Sequence, residues 1–367
     1  MKKYYLILSA LTIFTIFNSC EELEGPFYSL EGCTDTIAFN YNADATNEDN
    51  SCCYIAGCTN PIALNYDSLA CWNIEDSCVF ENGVIAGCTD LLASNYNPEA
   101  NEDDGSCIAY VKNVLIEDFT GHTCPNCPDA AIELEAIHNL YGDQIIGMAI
   151  HVSNTFARPY PESQAPKFQY DFRTEWGDNW DASNLFDISN SGLPKGMVNR
   201  IGYPNEHKLG VNEWLSAVDL ELSKNVDLGI KIESNPTDIT ISTRILNNIS
   251  GNYNLVICLT ENEIINWQKD GSDNVEEYEH NHVLRTVLYD GEFSSSNSFS
   301  IGNKYEKTIN YNLADLEQYN IDYSTNNAFM GNGIAGGWNY NNLQIIAYIY
   351  NTNTKEILQV EEKHLNH

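Results

Sequence analysis

Basic side chains are scarce: of 367 residues, 18 are Lys or Arg and 52 are Asp or Glu, for a formal net charge of −34. Such a chain repels a phosphate backbone, which excludes nucleic acid as a partner class. No Gly-rich phosphate loop, H-E-x-x-H or G-x-S-x-G occurs, so the signatures of phosphate cradling, zincin hydrolysis and the nucleophile elbow are all missing. No apolar run reaches the ~20 residues that span a bilayer. Disorder along the whole chain is excluded by the 43% apolar fraction with 22 Tyr and 13 Phe, and the length exceeds what one core supports, so two or more domains are expected.

The few basic residues avoid one stretch altogether. Residues 21–110 hold 17 acidic side chains and no Lys or Arg, whereas 111–367 hold 35 acidic and 16 basic, which places a domain boundary near Tyr110. Cysteine is plentiful: twelve are present, most at fixed spacing, as suits an oxidising compartment.

The amino end reads as an export signal. Lys2 and Lys3 precede the apolar run Tyr4–Phe17, followed by Asn18-Ser19-Cys20 and the acidic pair Glu21-Glu22. Small residues before a cysteine at the end of such a run resemble the bacterial lipoprotein cleavage box. That resemblance implies a signal peptide over 1–19, lipidation of Cys20 and a linker over 20–31. The acidic pair resembles the surface-export signal of Bacteroidetes lipoproteins, which implies an outer-membrane lipoprotein exposed at the cell surface. An ordinary signal peptide followed by an incidental cysteine is the alternative.

One unit recurs three times within residues 32–110. Gly32-Cys33-Thr34-Asp35 leads to Ser51-Cys52, Gly57-Cys58-Thr59-Asn60 to Ser77-Cys78, and Gly87-Cys88-Thr89-Asp90 to Ser106-Cys107, with Ala45, Ala70 and Ala100 each thirteen residues after the glycine. Units of about 21 residues cannot bury a core and need staples. The first and last cysteine of each unit are the candidate pairs; Cys53 and Cys71 remain, and a bond between them would tie the first unit to the second, although spacing alone does not fix the connectivity. Oxygen-rich stretches precede the closing cysteines, and Asp49, Asp103 and Asp104 are candidate ligands for calcium, a hard cation. The alternative is a solvated acidic turn. The units resemble short repeats of secreted marine bacterial proteins, which implies a spacer or stalk.

From Val111 the chain changes character. Val114-Leu115-Ile116 reads as a strand, and Cys124-Pro125-Asn126-Cys127 stands at the head of a helix with apolar residues at helical spacing to Gly142. A buried strand follows over Gln144–Val152. This is a thioredoxin-like arrangement. Helix amides would lower the pKa of Cys124 and keep it as a partly exposed thiolate, with Cys127 resolving and Asp118 moving the proton. Ser191-Gly192-Leu193-Pro194 matches the thioredoxin-like loop, in which Pro194 would be cis and face the cysteines. Residues 153–184, rich in aromatics, read as a helical insertion. The domain spans 111–222.

Residues 223–367 read as a β-sandwich, probed by strands such as Leu228–Ile232, Ile239–Leu246, Tyr253–Leu259, His282–Leu288, Lys307–Tyr311 and Leu343–Tyr350, with an immunoglobulin-like arrangement expected. Cys258 is expected to be an inert buried thiol. His280 and His282, two apart on one strand, share a face; with no third ligand beside them, a structural role with Tyr278 and Arg285 is expected over a metal site.

"LIEDFTGHTCPNCP", "SGLPKGMVNR", "LTENEIINWQ" and "YEHNHVLR", in that order, resemble the outer membrane protein 28 family of Bacteroidetes over roughly residues 111–362. The resemblance implies a fold and an envelope location rather than an activity. Two function classes follow. In one, Cys124 and Cys127 exchange disulfides with cysteine-containing extracytoplasmic or cell-surface proteins; in the other, the domain is a scaffold with its disulfide permanently closed. The residues present favour the first, and the lack of an electron donor outside the cell favours the second.

Overall fold

Gly and Ala recur together in the repeats because the chain crosses itself there. A Cβ on Gly32 or Gly57 would stand 3.2 Å from the Cβ of Ala45 or Ala70, so neither position tolerates bulk. The computed structural model describes residues 30–74, 78–80 and 83–365. The lipoprotein box at Cys20, the run before it and the acidic pair after it lie outside the described residues. The chain divides into two units, Met1–Ala86 and Gly87–His367, so the third repeat belongs to the larger one. In the first unit, Cys33 pairs with Cys52, Cys58 with Cys78, and Cys53 with Cys71 across the two repeats. Cys88–Cys107 closes the third.

The larger unit begins with a parallel β-α-β turn of chain: β1 (Val114–Thr120), α1 (Cys127–Tyr141) and β2 (Ile145–His151), with Val114 opposite Ile145 and Thr120 opposite His151. Gly142 ends α1 at a positive φ of 60°, its N–H closing on the His138 carbonyl. After α2 (Glu175–Trp180), β3 (Lys195–Val198) lies antiparallel on the other edge of β1, and α3 (Trp214–Leu222) follows. The remainder is mostly strand: β4 (Leu228–Ser234), β5 (Asp238–Ile245), β6 (Tyr253–Glu261), β7 (Ile264–Asp270), β8 (Asp273–His280), β9 (Val283–Glu292) and β10 (Lys304–Asn310). Helix α4 (Leu313–Asn326) precedes β11 (Leu343–Asn351) and β12 (Ile357–His364).

Seven strands form one sheet in the order β12-β11-β6-β9-β2-β1-β3. The boundary expected at 222/223 therefore falls inside a shared sheet. The two halves meet at a narrow seam, where Val283 of β9 faces Ala149 of β2 and the Ala149 N–H donates to the His282 carbonyl at 2.8 Å.

Side-chain alternation assigns the faces. On one face, Leu115, Phe119, Met148, Val256, Cys258, Ile346 and Tyr348 form a cluster that crosses the seam and is covered by Trp180, Phe186 and Ile188. On the opposite face, Val114, Ile116 and Ile145 pack against Leu134 and Ile137 of α1 and Trp214 of α3. Farther along that face, Leu255, Ile257 and Ile345 pack against Ile230 and Ile241 of a separate three-stranded sheet, β4-β5-β10. The layers expected over 223–367 are thus a small sheet lying on part of a larger one, because Val256 and Cys258 on the even-numbered face of β6 are apolar too and need their own cover. Residues 153–184, expected to be helical, hold one short α-helix and a 3-10 turn at Glu162–Gln164, and contribute Trp180 to that cover. A buried ion pair sits in the cluster: Glu117 accepts from Arg200 at 2.6 and 2.8 Å, and Arg200 also donates to the Tyr348 hydroxyl at 2.7 Å.

Candidate functional site

The chain reaches the C-x-x-C turn from the end of β1. Thr123 donates its N–H and its hydroxyl to the Phe156 carbonyl, at 2.9 and 2.8 Å. A Cβ on Gly121 would stand 2.3 Å from that same oxygen, so only glycine fits. Asn126 is the N-cap residue of α1 and Cys127 its first residue, while Cys124 lies in the preceding turn with its N–H on the Gly121 carbonyl at 2.9 Å. The two cysteines are joined in a disulfide. Sequence reasoning expects a partly exposed Cys124; instead Cys124 is 1% and Cys127 3% exposed.

The cover is the β7–β8 hairpin, which contributes to no other sheet. Its Lys269 N–H donates to the His122 carbonyl and its Gly271 N–H to the Pro125 carbonyl, each at 2.8 Å, while Gln268 Nε2 donates to the Cys124 carbonyl at 3.1 Å. Three bonds strap the turn down. None of these hairpin residues is among the site residues read from sequence. The signal was present: Asp270-Gly271 between two polar-apolar runs is a strong hairpin cue, and Gly271 takes the positive φ of 53° that such a turn requires.

Behind the disulfide lies a cavity of about 440 Å³ between α1, the ends of β1 and β2, and the hairpin. Asp118 and Cys127 both line it. Asp118 is 3% exposed, its Oδ1 has no hydrogen-bond partner, and burial pushes its carboxyl up to about 8. The Leu193–Pro194 bond is cis, and Pro194 immediately precedes β3, but Pro194 is not among the residues lining the cavity. The structure thus gathers two of the four residues picked for redox chemistry around one space, with Cys124 under the hairpin.

Three imidazoles surround Phe172. The rings of His151 and His280 stand 4.7 and 4.8 Å from it and that of His122 5.7 Å, with Tyr278 4.8 Å from His280. Burial holds His122 and His280 down to about 3 and His151 well below its ordinary value, so all three are neutral. His280 ends β8, and His282 lies beyond it with a positive φ of 58°, so the two do not share a strand face as their spacing suggests. No group of three metal-ligating side chains forms around these histidines among the described residues. Arg285 instead pairs with buried Glu261 at 2.7 Å. Cys258 is buried and free, its thiol pushed above its ordinary value by burial. In the repeats, Asp49, Asp103 and Asp104 each accept a main-chain N–H two residues on, from Ser51, Gly105 and Ser106, and so cap their own turns.

The family described as outer membrane protein Omp28 matches residues 180–367, which include the hairpin and leave the C-x-x-C turn ahead of the match. Similar solved structures include HBP35 of Porphyromonas gingivalis, at 15% identity over 70% of this chain and 76% of that one, with a TM-score of 0.45. A protein from Agrobacterium tumefaciens is 11% identical over 70% of this chain and 96% of that one, at 0.43. A domain of the outer membrane lipoprotein Omp28 from Porphyromonas gingivalis is 16% identical over 39% of this chain and 91% of that one, at 0.21. No curated protein matches the chain in sequence. Among the described residues, no helix is long and apolar enough to cross a membrane.

Proposed function

The chain belongs to the outer membrane protein Omp28 family, and from that premise we propose that it is an outer-membrane thiol–disulfide exchange protein whose site works beneath a hairpin. The observation that carries this reading is Asp118: a buried carboxyl oxygen without a partner is costly, and this residue lines the same cavity as Cys127. We read the parallel β1-α1-β2 unit as thioredoxin-like. Starting from the Cys124–Cys127 disulfide, a thiolate of a cysteine-containing extracytoplasmic partner attacks Cys124 Sγ, and Cys127 leaves as a thiolate that takes the proton of Asp118. A second partner thiolate then attacks the partner's own sulfur in the mixed disulfide and releases Cys124. The partner dithiol ends as a disulfide, and two electrons rest on the reduced pair, Cys124 as thiolate and Cys127 as thiol. The straps from Gln268, Lys269 and Gly271 must open for the first attack. Anchoring by a lipid on Cys20 and exposure at the cell surface complete the proposal.

A second reading, the non-enzymatic surface scaffold, is favoured by the burial of both sulfurs. The reduction potential of the Cys124–Cys127 pair separates the two. An exchange protein is expected between about −270 and −120 mV, with Cys127→Ser accumulating mixed disulfides at Cys124; a potential below about −300 mV marks a structural disulfide and returns the scaffold.

A further inference from the structure

The cavity behind the disulfide has a chemistry that disulfide exchange does not use. Four residues lining it each carry a buried polar atom with no hydrogen-bond partner: Asp118 Oδ1, His151 Nδ1, His280 Nε2 and His282 Nδ1. Buried polar groups are nearly always paired, so these four leave unused hydrogen-bonding capacity in the walls of one space. Its volume of about 440 Å³ lies in the range of small-ligand sites.

Charge decides what the occupant is. The walls hold Asp118, Glu135 and Glu279 and no Lys or Arg. The three imidazoles add no positive charge, since burial holds His280 at about 3, His282 at about 4 and His151 lower than its ordinary value. Each neutral ring keeps one nitrogen as an acceptor. His280 has main-chain hydrogen bonds to Asn266 and Trp267, while its Nε2 is left without a partner. The polar side of the cavity is therefore rich in acceptors, and with Asp118 neutral in the empty site its negative charge comes from Glu135 and Glu279. The remaining wall is apolar, built from Pro128, Ile132, Leu134 and Val283, with Ile132 68% exposed. An anion would meet repulsion here, and an alcohol would leave most of the acceptors empty.

We propose that this cavity binds a primary ammonium or guanidinium group carried on an apolar stem, with Asp118 as its counter-ion, the imidazoles accepting its N–H groups and Ile132 and Leu134 packing on the stem. Lysine and arginine side chains of a polypeptide and free alkylamines share this chemistry. The site exists with the disulfide closed and its occupancy requires no thiol step, so its failure and the failure of disulfide exchange are separate results.

The test is calorimetric titration of the full oxidised chain with pentylamine, pentylguanidine, pentanol and pentanoate, and with a short peptide bearing one central lysine. The two cations are expected to bind at least about tenfold more tightly than pentanol, with no binding of pentanoate. Because Asp118 is held protonated in the empty site, cation binding is expected to release a proton at neutral pH, read from the dependence of the heat on buffer ionisation. Asp118→Asn should weaken the cations about tenfold and abolish proton release, and Glu135→Gln with Glu279→Gln, at the cavity walls, should weaken them about threefold. A peptide that outbinds pentylamine identifies a polypeptide as the source, and the reverse identifies a free amine. Equal affinity for pentanol, no binding of either cation at about 10 mM, or unchanged affinity in both variants overturns the proposal.

Discussion

In the first unit the buried apolar residues are cysteines and alanines, such as Cys33, Ala38, Cys58 and Ala63, while Ile37, Leu64 and Leu69 are 65–78% exposed. In the larger unit three apolar clusters fill both faces of a seven-stranded sheet. Two units of one chain have reached cohesion by different routes. A short acidic unit with few apolar residues restricts its unfolded state by cross-links. A long one removes surface from water, and can then bury charges such as Glu117 and Arg200 that the small units could never enclose.

Four experiments sharpen that contrast, from the largest effect to the smallest. Glu117→Ala leaves Arg200 charged, buried and unpaired, and is expected to cost about 3–5 kcal/mol. Urea unfolding followed by tryptophan fluorescence should show the loss in the larger unit, while the disulfide map of the repeats stays unchanged. The reciprocal experiment is Cys58→Ala with Cys78→Ala. Opening that loop should destabilise the second repeat by about 3 kcal/mol. Limited proteolysis is expected to cut between 56 and 80 and to leave residues 111–365 intact.

The third concerns pH. Asp118 rises from its ordinary 3.8 to about 8 on folding, so the folded state holds a proton that the unfolded state has lost across that interval. Its contribution is fully present below the unfolded value and is lost as pH climbs towards 8, at up to about 1.4 kcal/mol per pH unit. Asp118→Asn removes this slope. The variant and the parent should match in urea midpoint near pH 4, and the variant should be the more stable by a few kcal/mol near pH 8. The smallest effect belongs to the repeats. Calcium should relieve repulsion in the basic-free stretch 21–110 and raise its melting temperature slightly over that in chelator. Identical melting in both conditions removes calcium from the account.

How much of this was legible in the sequence follows from how far apart the cooperating residues lie. The first-to-last staples of the three units were readable as candidates because each closes within about twenty residues of a recurring unit, whereas the Cys53–Cys71 bond between units has no such repeat to mark it. The strand Val114–Thr120 and the helix from Cys127 to Tyr141 were readable because apolar spacing is a local property. What lay hidden is non-local. Gln268 and Lys269 meet the C-x-x-C turn from some 140 residues away, and nothing in their spacing announces a partner. The same holds for Glu117 with Arg200, and for the sheet that unites two regions read as separate domains. His280 and His282 misled because a two-residue spacing means a shared face only while the strand continues, and β8 stops at His280.

The seam between β9 and β2 has a mechanical meaning. A sheet normally passes load from strand to strand through a ladder of parallel bonds, and here the ladder narrows to the rung at Val283 and Ala149. Force or heat applied across the sheet therefore falls on side chains: on the cluster around Met148 and Cys258, and on the Glu117–Arg200–Tyr348 link. The hairpin that closes the disulfide is rooted next to the same rung, through His280, Asn281 and His282. Any rotation of one half of the sheet against the other would turn that root as well, so the waist of the sheet and the cover of the site form one joint.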